Sequence, residues 1–247
     1  MSNRPTLSVI VLSLILAGGL GFSCAASPLE FSGGGLYTTL ALPQLNGEDG
    51  VIESFNSEIE SIKDQLGDVE DVTITKMNKL NTGFGLYGGI TLNLNRYLGI
   101  GATFENFSAG TGTQIDYSEE GVGEIDFELG IDLSVTSAVA LLNINLNEYL
   151  GLIGGGGYYF GNVSMTAKGT IDYEGVSDSF DESQNAPLSG LGYKFGGMFS
   201  YPLTSQATLS TSANYRLLNL GIPGTGLVPN GADLNANGIE VKVGISF

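Results

Sequence analysis

The sequence GIEVKVGISF at residues 238–247 has the clearest periodic pattern of the chain. Large apolar residues occupy every second position, from Ile239 to Phe247, and polar or small residues fill the positions between them. Strict alternation over this length predicts a β-strand with one apolar face and one polar face.

Three other stretches alternate in the same way, at 84–93, 191–201 and 208–217. Their second face carries mostly Gly, Ser, Thr and Asn, whereas a sheet face that meets water is usually rich in Lys, Glu and Asp. The pattern therefore favours an all-β, antiparallel up-and-down transmembrane barrel, with large apolar side chains toward lipid and small polar ones inside. Closure into a barrel removes the strand edges that lipid cannot hydrogen-bond.

We predict eight strands, and ten stay open because residues 72–75 could start or extend another. The predicted strands are 30–41, 82–94, 98–117, 124–146, 149–173, 186–202, 206–220 and 235–247. Short connections alternate with long or charged ones, which are 42–81, 118–123, 174–185 and 221–234. Short periplasmic turns and longer outer loops are typical of bacterial outer-membrane barrels, so both termini should lie on the periplasmic side.

Two of the short turns repeat one sequence. LNLNRYLGI at 92–100 matches INLNEYLGL at 144–152, and each places a Tyr directly after an Asn-led turn. Tyr97, Tyr149 and Tyr201 all lie beside short turns, and we expect them to form an aromatic girdle at the membrane interface.

Charge is concentrated in three segments, 48–79, 105–132 and 168–182, which hold 26 of the 35 charged residues. A barrel strand crosses the membrane with only about 9–11 residues, so the long central strands should protrude as an acidic β wall. The net charge of −17 opposes binding to nucleic acid, since phosphate contacts need Lys and Arg. Acidic loops offer the oxygen ligands that calcium prefers, although no spaced loop motif supports a site.

The first long loop has helical periodicity over 51–66. Its apolar residues step by 3, 4, 3 and 4 positions and define one stripe, formed by Ile52, Phe55, Ile59, Ile62 and Leu66. Because an eight-stranded barrel has interior room only for side chains, the helix should lie over the outer mouth or against the protruding wall. It would serve as packing cover for its own loop or as a lid or partner-binding surface.

Five isolated charges fall on the polar faces of predicted strands: Glu105, Lys194, Arg216, Glu240 and Lys242. A lone charge in a low-dielectric interior is costly unless it is paired. We expect these residues to pair across the lumen and seal it. The alternative is that they act as gates or selectivity groups of a narrow pore.

The N-terminus has the features of a secretory signal over residues 1–26, which leaves a barrel domain at 27–247. Arg4 supplies a positive charge, Val9–Leu16 is apolar, and small residues follow at Ser23–Ala26. Cleavage there would remove Cys24, the only cysteine. The alternative is that Cys24 is lipidated at the mature N-terminus.

The sequence contains no His, which removes Ser-His-Asp and Cys-His catalysis and the commonest zinc sites. A paired-carboxylate mechanism stays open on composition, but no pair is singled out. The glycine run 154–157 lacks the Lys and the following helix of a phosphate loop. We therefore predict no enzyme, with no catalytic, cofactor or metal residues assigned.

The C-terminal strand carries a resemblance to a known class. With Val243, Ile245 and Phe247 at alternate positions, it resembles the signal that the barrel-assembly machinery recognises. The whole chain resembles the small outer-membrane barrels of the outer membrane protein A, X and W class. This resemblance implies an outer-membrane location, contact with lipid and the assembly machinery, and a monomer. Enzymes of that class rely on a His, from which this chain departs.

Two functions follow from this architecture. The first is a structural or surface-interaction barrel that presents acidic loops, and the second is a narrow passage for small solutes or apolar molecules, as in the outer membrane protein W group. A third and weaker alternative is a soluble periplasmic β-protein.

Overall fold

The computed structural model describes residues 29–66, 72–119, 123–173, 176–222 and 233–247. The predicted signal segment, including Cys24, lies outside these residues. Among the described helices, none has the length and apolar character needed to cross a bilayer. The strands are β1 (Leu29–Thr39), β2 (Val72–Ile74), β3 (Thr82–Asn95), β4 (Leu98–Glu119), β5 (Gly123–Asn145), β6 (Leu150–Tyr173), β7 (Val176–Pro202), β8 (Thr208–Gly221), β9 (Asp233–Asn235) and β10 (Gly238–Ser246), and the helices are α1 (Pro43–Asn46) and α2 (Val51–Leu66).

Eight of the strands form a closed antiparallel ring in the order β1, β3, β4, β5, β6, β7, β8, β10. The ring closes where β10 pairs with β1, and the backbones of Phe31 and Phe247 exchange hydrogen bonds of 3.0 and 2.9 Å there. The predicted eight-stranded barrel is confirmed. The two short strands lie outside the ring, β2 on β4 and β9 on β8, so residues 72–74 widen the wall and not the barrel.

An apolar belt surrounds the barrel at the end that carries the short turns. Phe84 and Phe195 project outward, with 66% and 57% of their surface exposed, as predicted. Beyond this belt the outward positions of the ring strands carry mostly polar residues or glycine. The last outward apolar residues, strand by strand, are Tyr37, Phe84, Phe104, Ala138, Phe160, Leu191, Leu217 and Ile239.

Above the belt the interior is apolar, which corrects the prediction that small polar residues fill the whole barrel. In β5 the inward side chains Leu129, Ile131 and Leu133 are at most 4% exposed, while outward positions carry Asp132 and Ser134. The physical reason is that the outer surface of this part of the barrel meets water and not lipid. Where the outer surface meets water, burial of apolar surface favours the interior for large side chains. This outer core also contains Leu36, Phe107, Val135, Tyr159, Leu188, Leu218 and Leu220.

The first long loop folds over the outer mouth. Helix α2 has the predicted bounds, and its Ile52 is fully buried in the same hydrophobic cluster as the inward residues of the outer core. The preceding helix α1, which the sequence analysis did not predict, adds Leu45 to that cluster. Two asparagines fix the returning chain: Asn46 bonds both backbone groups of Leu80, and Asn56 those of Met77, at 2.8–3.0 Å.

Strands β4 to β7 contain 22 to 27 residues each, far more than a membrane crossing needs. They form the predicted protruding wall. The predicted loop at 174–185 is wrong for most of its length, because β7 begins at Val176 and pairs with β6 through Ser183 and beyond. Residues 176–185 are exposed throughout, so no burial imposes an apolar alternation that would mark this strand in the sequence.

Candidate functional site

The five predicted interior charges lie together in the lumen, at the level of the apolar belt. Glu105, Lys194, Arg216, Glu240 and Lys242 are between 0% and 5% exposed. Lys194 in β7 and Arg216 in β8 lie opposite each other in the strand register, and Glu240 and Lys242 lie on β10, the next strand of the ring. Glu105 reaches them from β4 on another part of the ring. We call these five residues the charge cluster.

Glu105 is the hub of the charge cluster. Its carboxylate forms salt bridges with the ammonium groups of Lys194 and Lys242. Two hydroxyls also donate to it, Thr103 at 2.9 Å and Ser137 at 3.4 Å. These four partners replace the water that would solvate the carboxylate if it were exposed, and a buried carboxylate without such partners would be costly.

Glu240 binds the same cations from the other side. Its Oε1 lies 3.1 Å from Lys194 Nζ and 3.3 Å from Lys242 Nζ. Its Oε2 lies 3.6 Å from Arg216 Nη1. Two carboxylates therefore hold three cations, and with all five groups ionised the charge cluster carries one positive charge in excess.

Arg216 connects the charge cluster to the outer core. Its Nη2 donates to Thr38 Oγ1 at 3.0 Å, and its guanidinium carbon lies 4.6 Å from the centre of the Phe107 ring. Such cation–aromatic contacts stabilise a buried cation by roughly 2 kcal/mol when desolvated. The ring of Tyr159 packs beside them, where Gly192 leaves room: a Cβ at that glycine would lie 2.6 Å from the Tyr159 ring.

Below the charge cluster the lumen widens into a cavity of about 930 Å³ that opens at the short-turn end. We call this cavity the periplasmic vestibule. Its deep end is formed by Tyr87, Thr103 and Lys242, and its mouth by the turns at 95–97 and 146–150. Beyond its deep end lie the buried side chains of the charge cluster and, further out, those of the outer core.

The predicted girdle tyrosines lie at the mouth, and Tyr97, Tyr149 and Tyr201 are 52%, 39% and 52% exposed. The repeated turns have the same geometry, since the side-chain Oδ1 of Asn95 and Asn147 each accepts two backbone N–H groups at 2.8–3.0 Å. This Asx turn is what the repeated Asn supplies. The neighbouring Glu148 carboxylate raises the pKa of the Tyr149 phenol.

The other predicted residues are located as follows. Val243, Ile245 and Phe247 project outward from β10, at 49%, 39% and 47% exposure. In α2, Ile52 and Ile59 are buried and Phe55 packs against the core, whereas the side chains of Ile62 and Leu66 lie outside the described set. Across the described residues, no group of three or more acidic side chains converges as a metal site would require.

A family model decides what kind of protein this is. The model for the outer membrane protein beta-barrel domain matches residues 14–247. The chain belongs to this family. Its members are bacterial outer-membrane proteins, so the barrel lies in the outer membrane with its apolar belt in lipid. Short turns on the periplasmic side and longer segments on the outer side are the usual orientation of such barrels.

Solved outer-membrane barrels show similar folds at low identity. Ail of Yersinia pestis has 16% identity and a TM-score of 0.37, with 89% of this chain and 97% of Ail covered. OprG from Pseudomonas aeruginosa has 13% identity and a TM-score of 0.36, with 88% of this chain and 93% of OprG covered. The Neisserial surface protein NspA has 13% identity and a TM-score of 0.36, with 90% of this chain and 98% of NspA covered. A more distant match is the Escherichia coli outer membrane protease OmpT. No curated protein matches the chain.

Sequence reasoning missed the outer core and the vestibule. A signal for the outer core is present: apolar residues in β5 occupy even positions at Leu142 and Ile144 but odd positions at Leu133 and Val135. The change of parity marks the level where the outside turns from lipid to water. No comparable signal marks the vestibule, whose size depends on how small inward residues from several strands combine.

Proposed function

We propose that this protein is a closed, non-enzymatic barrel with a structural and surface-interaction role in the outer membrane. The observation that carries the proposal is that described side chains fill the lumen at two successive levels. The charge cluster fills it within the membrane, and the outer core with its helical cap fills it above.

Both levels resist the passage of solutes. An ion that crossed the charge cluster would have to separate buried salt bridges, which costs several kcal/mol for each unpaired charge. Above them, Phe107, Tyr159 and Leu133 are at most 1% exposed, and an apolar core packed in this way resists the entry of water and ions.

The acidic wall supplies the interaction surface. On the described part of this wall beyond the lipid, Lys168 is the only basic residue. It lies in register between Glu128 and Asp181 and pairs with Asp181 at 3.6 Å. The remaining carboxylates are solvated and give the outer face a negative potential, which attracts cationic partners in a salt-dependent manner.

Conductance measurements test the closed lumen. Purified protein inserted into planar bilayers should show no conductance steps, under conditions where an open porin of known size shows them. Liposomes that contain the protein should likewise take up small sugars no faster than empty liposomes. Reproducible steps that scale with the amount of protein would contradict closure.

A charge-removal series tests the surface role. The triple variant Asp126→Ser, Glu128→Ser, Asp181→Ser should bind fluorescent oligolysine more weakly than the parent protein at low salt. The matched control removes three carboxylates from the loop helix, Glu53→Ser, Glu58→Ser and Asp64→Ser, and should bind nearly as the parent does. Equal loss in both variants would show that net charge, and not the wall, attracts the cation.

A narrow passage is the second candidate, and the vestibule is the observation that favours it. A cavity of about 930 Å³ already penetrates the lumen from the periplasmic side as far as Lys242. Rearrangement of the charge cluster and the outer core would be needed to complete the path. Conductance in the experiment above would establish this candidate.

A further inference from the structure

The periplasmic vestibule is unusually roomy for this architecture. An eight-stranded barrel has an interior that side chains ordinarily fill. Here the inward positions near the periplasmic end are small, including Gly151, Gly155, Ser210 and Ser212, and a cavity of about 930 Å³ results. That volume lies within the roughly 300–1,000 Å³ typical of small-molecule pockets.

The lining of the vestibule is neutral and rich in hydrogen-bonding groups. Five asparagines and eight serine or threonine hydroxyls line it, together with three tyrosines. Its four charged residues balance, because Glu30 and Glu148 oppose Arg96 and Lys242. Amides and hydroxyls both donate and accept hydrogen bonds, so the lining matches a molecule that carries many hydroxyl groups.

One buried amide points to a ligand independently of the cavity. Asn143 lines the vestibule and is only 8% exposed. Its Nδ2 donates to Thr91 Oγ1 at 3.5 Å, whereas its Oδ1 has no hydrogen-bond partner among the described residues. A buried acceptor without a partner is costly, and a donor from a bound molecule would satisfy it.

Two other ligand classes fit less well. An anion at the deep end would need a free cation there, but the ammonium of Lys242 is already bound to Glu105 and Glu240. The other cation of the lining, Arg96, lies at the mouth against the ring of Tyr97. An apolar molecule would cover Asn143, Thr91 and Thr103 and leave their polar atoms without water or a partner.

We propose that the vestibule binds a small neutral carbohydrate from the periplasm. The hydroxyl groups of the sugar donate to Asn143 Oδ1 and bond the neighbouring threonine and serine hydroxyls. The apolar side chains of Leu141, Ile153 and Met198 also line the vestibule and offer a surface for the sugar ring. This inference does not rest on the closed lumen, because a site open to the periplasm can bind with or without transport.

Titration of the full barrel with N,N′-diacetylchitobiose tests the proposal. The protein is held in lipid nanodiscs, which leave both mouths accessible, and binding is followed by calorimetry and by saturation-transfer NMR on the sugar. We expect saturable binding at one site with millimolar or tighter affinity. The anionic sugar N-acetylneuraminic acid should bind more weakly, since the only described cation at the deep end, Lys242, is already paired with Glu105 and Glu240.

Variants locate the site. Asn143→Leu removes the amide at similar size and should weaken binding by about 3- to 10-fold, the effect of losing one or two hydrogen bonds. Ser200→Trp places a large ring in the mouth and should abolish binding; no side-chain hydrogen bond of Ser200 is described, so folding is little affected. The matched control Asn185→Leu makes the same change on the exposed outer wall and should leave affinity unchanged.

Three results would overturn the proposal. The first is no heat and no saturation transfer with the parent protein. The second is equal binding by the parent, Asn143→Leu and Ser200→Trp proteins, which would place the sugar elsewhere. The third is tighter binding of N-acetylneuraminic acid than of the neutral sugar. None of these results depends on whether the barrel conducts, so the proposal and the closed lumen fail separately.

Discussion

The membrane half and the outer half of this barrel solve opposite problems with the same strands. In the membrane half, the outward residues are large and apolar and the interior holds paired charges and hydroxyls. In the outer half, the outward residues are polar and the interior is an apolar core. The alternation of the strands continues across the border, and what changes is which face, the outward or the inward, carries the large apolar residues. Side-chain placement therefore follows the medium outside each half, lipid below and water above.

The largest expected effect comes from removing a charge inside the membrane half. Glu105→Leu leaves Lys194 and Lys242 with one carboxylate instead of two, and breaking a buried ion network in this way costs about 3–5 kcal/mol. Reversible urea unfolding in lipid vesicles would measure the loss. The control Glu128→Leu, on the exposed wall, should change stability by no more than about 0.5 kcal/mol. Equal losses of stability in Glu105→Leu and Glu128→Leu would show that the charge cluster is solvated.

A cavity in the outer half should cost nearly as much. Leu133→Ala removes a fully buried side chain from the outer core and should destabilise the protein by about 2–5 kcal/mol. Leu142→Ala, on the lipid-facing side of the same strand, leaves no protein cavity and should cost less in the same unfolding assay. A larger loss at Leu142 would contradict an apolar core in the outer half.

A charge on the outside should distinguish the two halves directly. Ala140→Arg places a cation on the lipid face and should cost about 2–4 kcal/mol. Ser134→Arg is also outward on β5 but above the belt, so its effect should stay within about 0.5 kcal/mol. Comparable losses of stability at the two positions would show that the membrane border lies beyond Ser134 on the outer side.

The smallest effect is expected at the helical cap. Lys76 pairs with Glu60 at the surface and lowers the pKa of that carboxyl. A lowered pKa means that the pair stabilises the fold at neutral pH and loses this contribution as the pH falls and Glu60 takes up a proton. Because both groups are solvated, Glu60→Gln should leave the urea midpoint unchanged within error at neutral pH. A clear shift would show that this pair fastens the cap.

The sequence was sufficient to predict an element wherever one of its faces is buried and the other face meets a single medium. The belt strands, the stripe of α2 and the inward direction of the five charges all follow from periodicity. The start of β7 at Val176 could not be predicted, because both of its faces meet water there. Nor could the partners of Glu105, since Lys194 and Lys242 come from distant strands and meet it only through the register around the ring.

The change of parity in β5 shows a different limit. Leu133 and Leu142 both belong to regular alternations. A two-residue period is the same whether its apolar face points into the barrel or outward to lipid. Only the polar residues between them, Asp132 and Ser134 in one case and Asn143 in the other, indicate which side meets water. An interpretation that assigns one medium to the whole strand therefore misplaces the apolar residues that lie in the other medium.

Fluorescence quenching by lipid tests the border between the halves most directly. The chain has no tryptophan, so Ala140→Trp and Ser134→Trp each report from one position. In vesicles of lipid with brominated acyl chains, we expect strong quenching and blue-shifted emission at position 140, with neither at position 134. Equal quenching at both positions would contradict a barrel whose outer half stands in water.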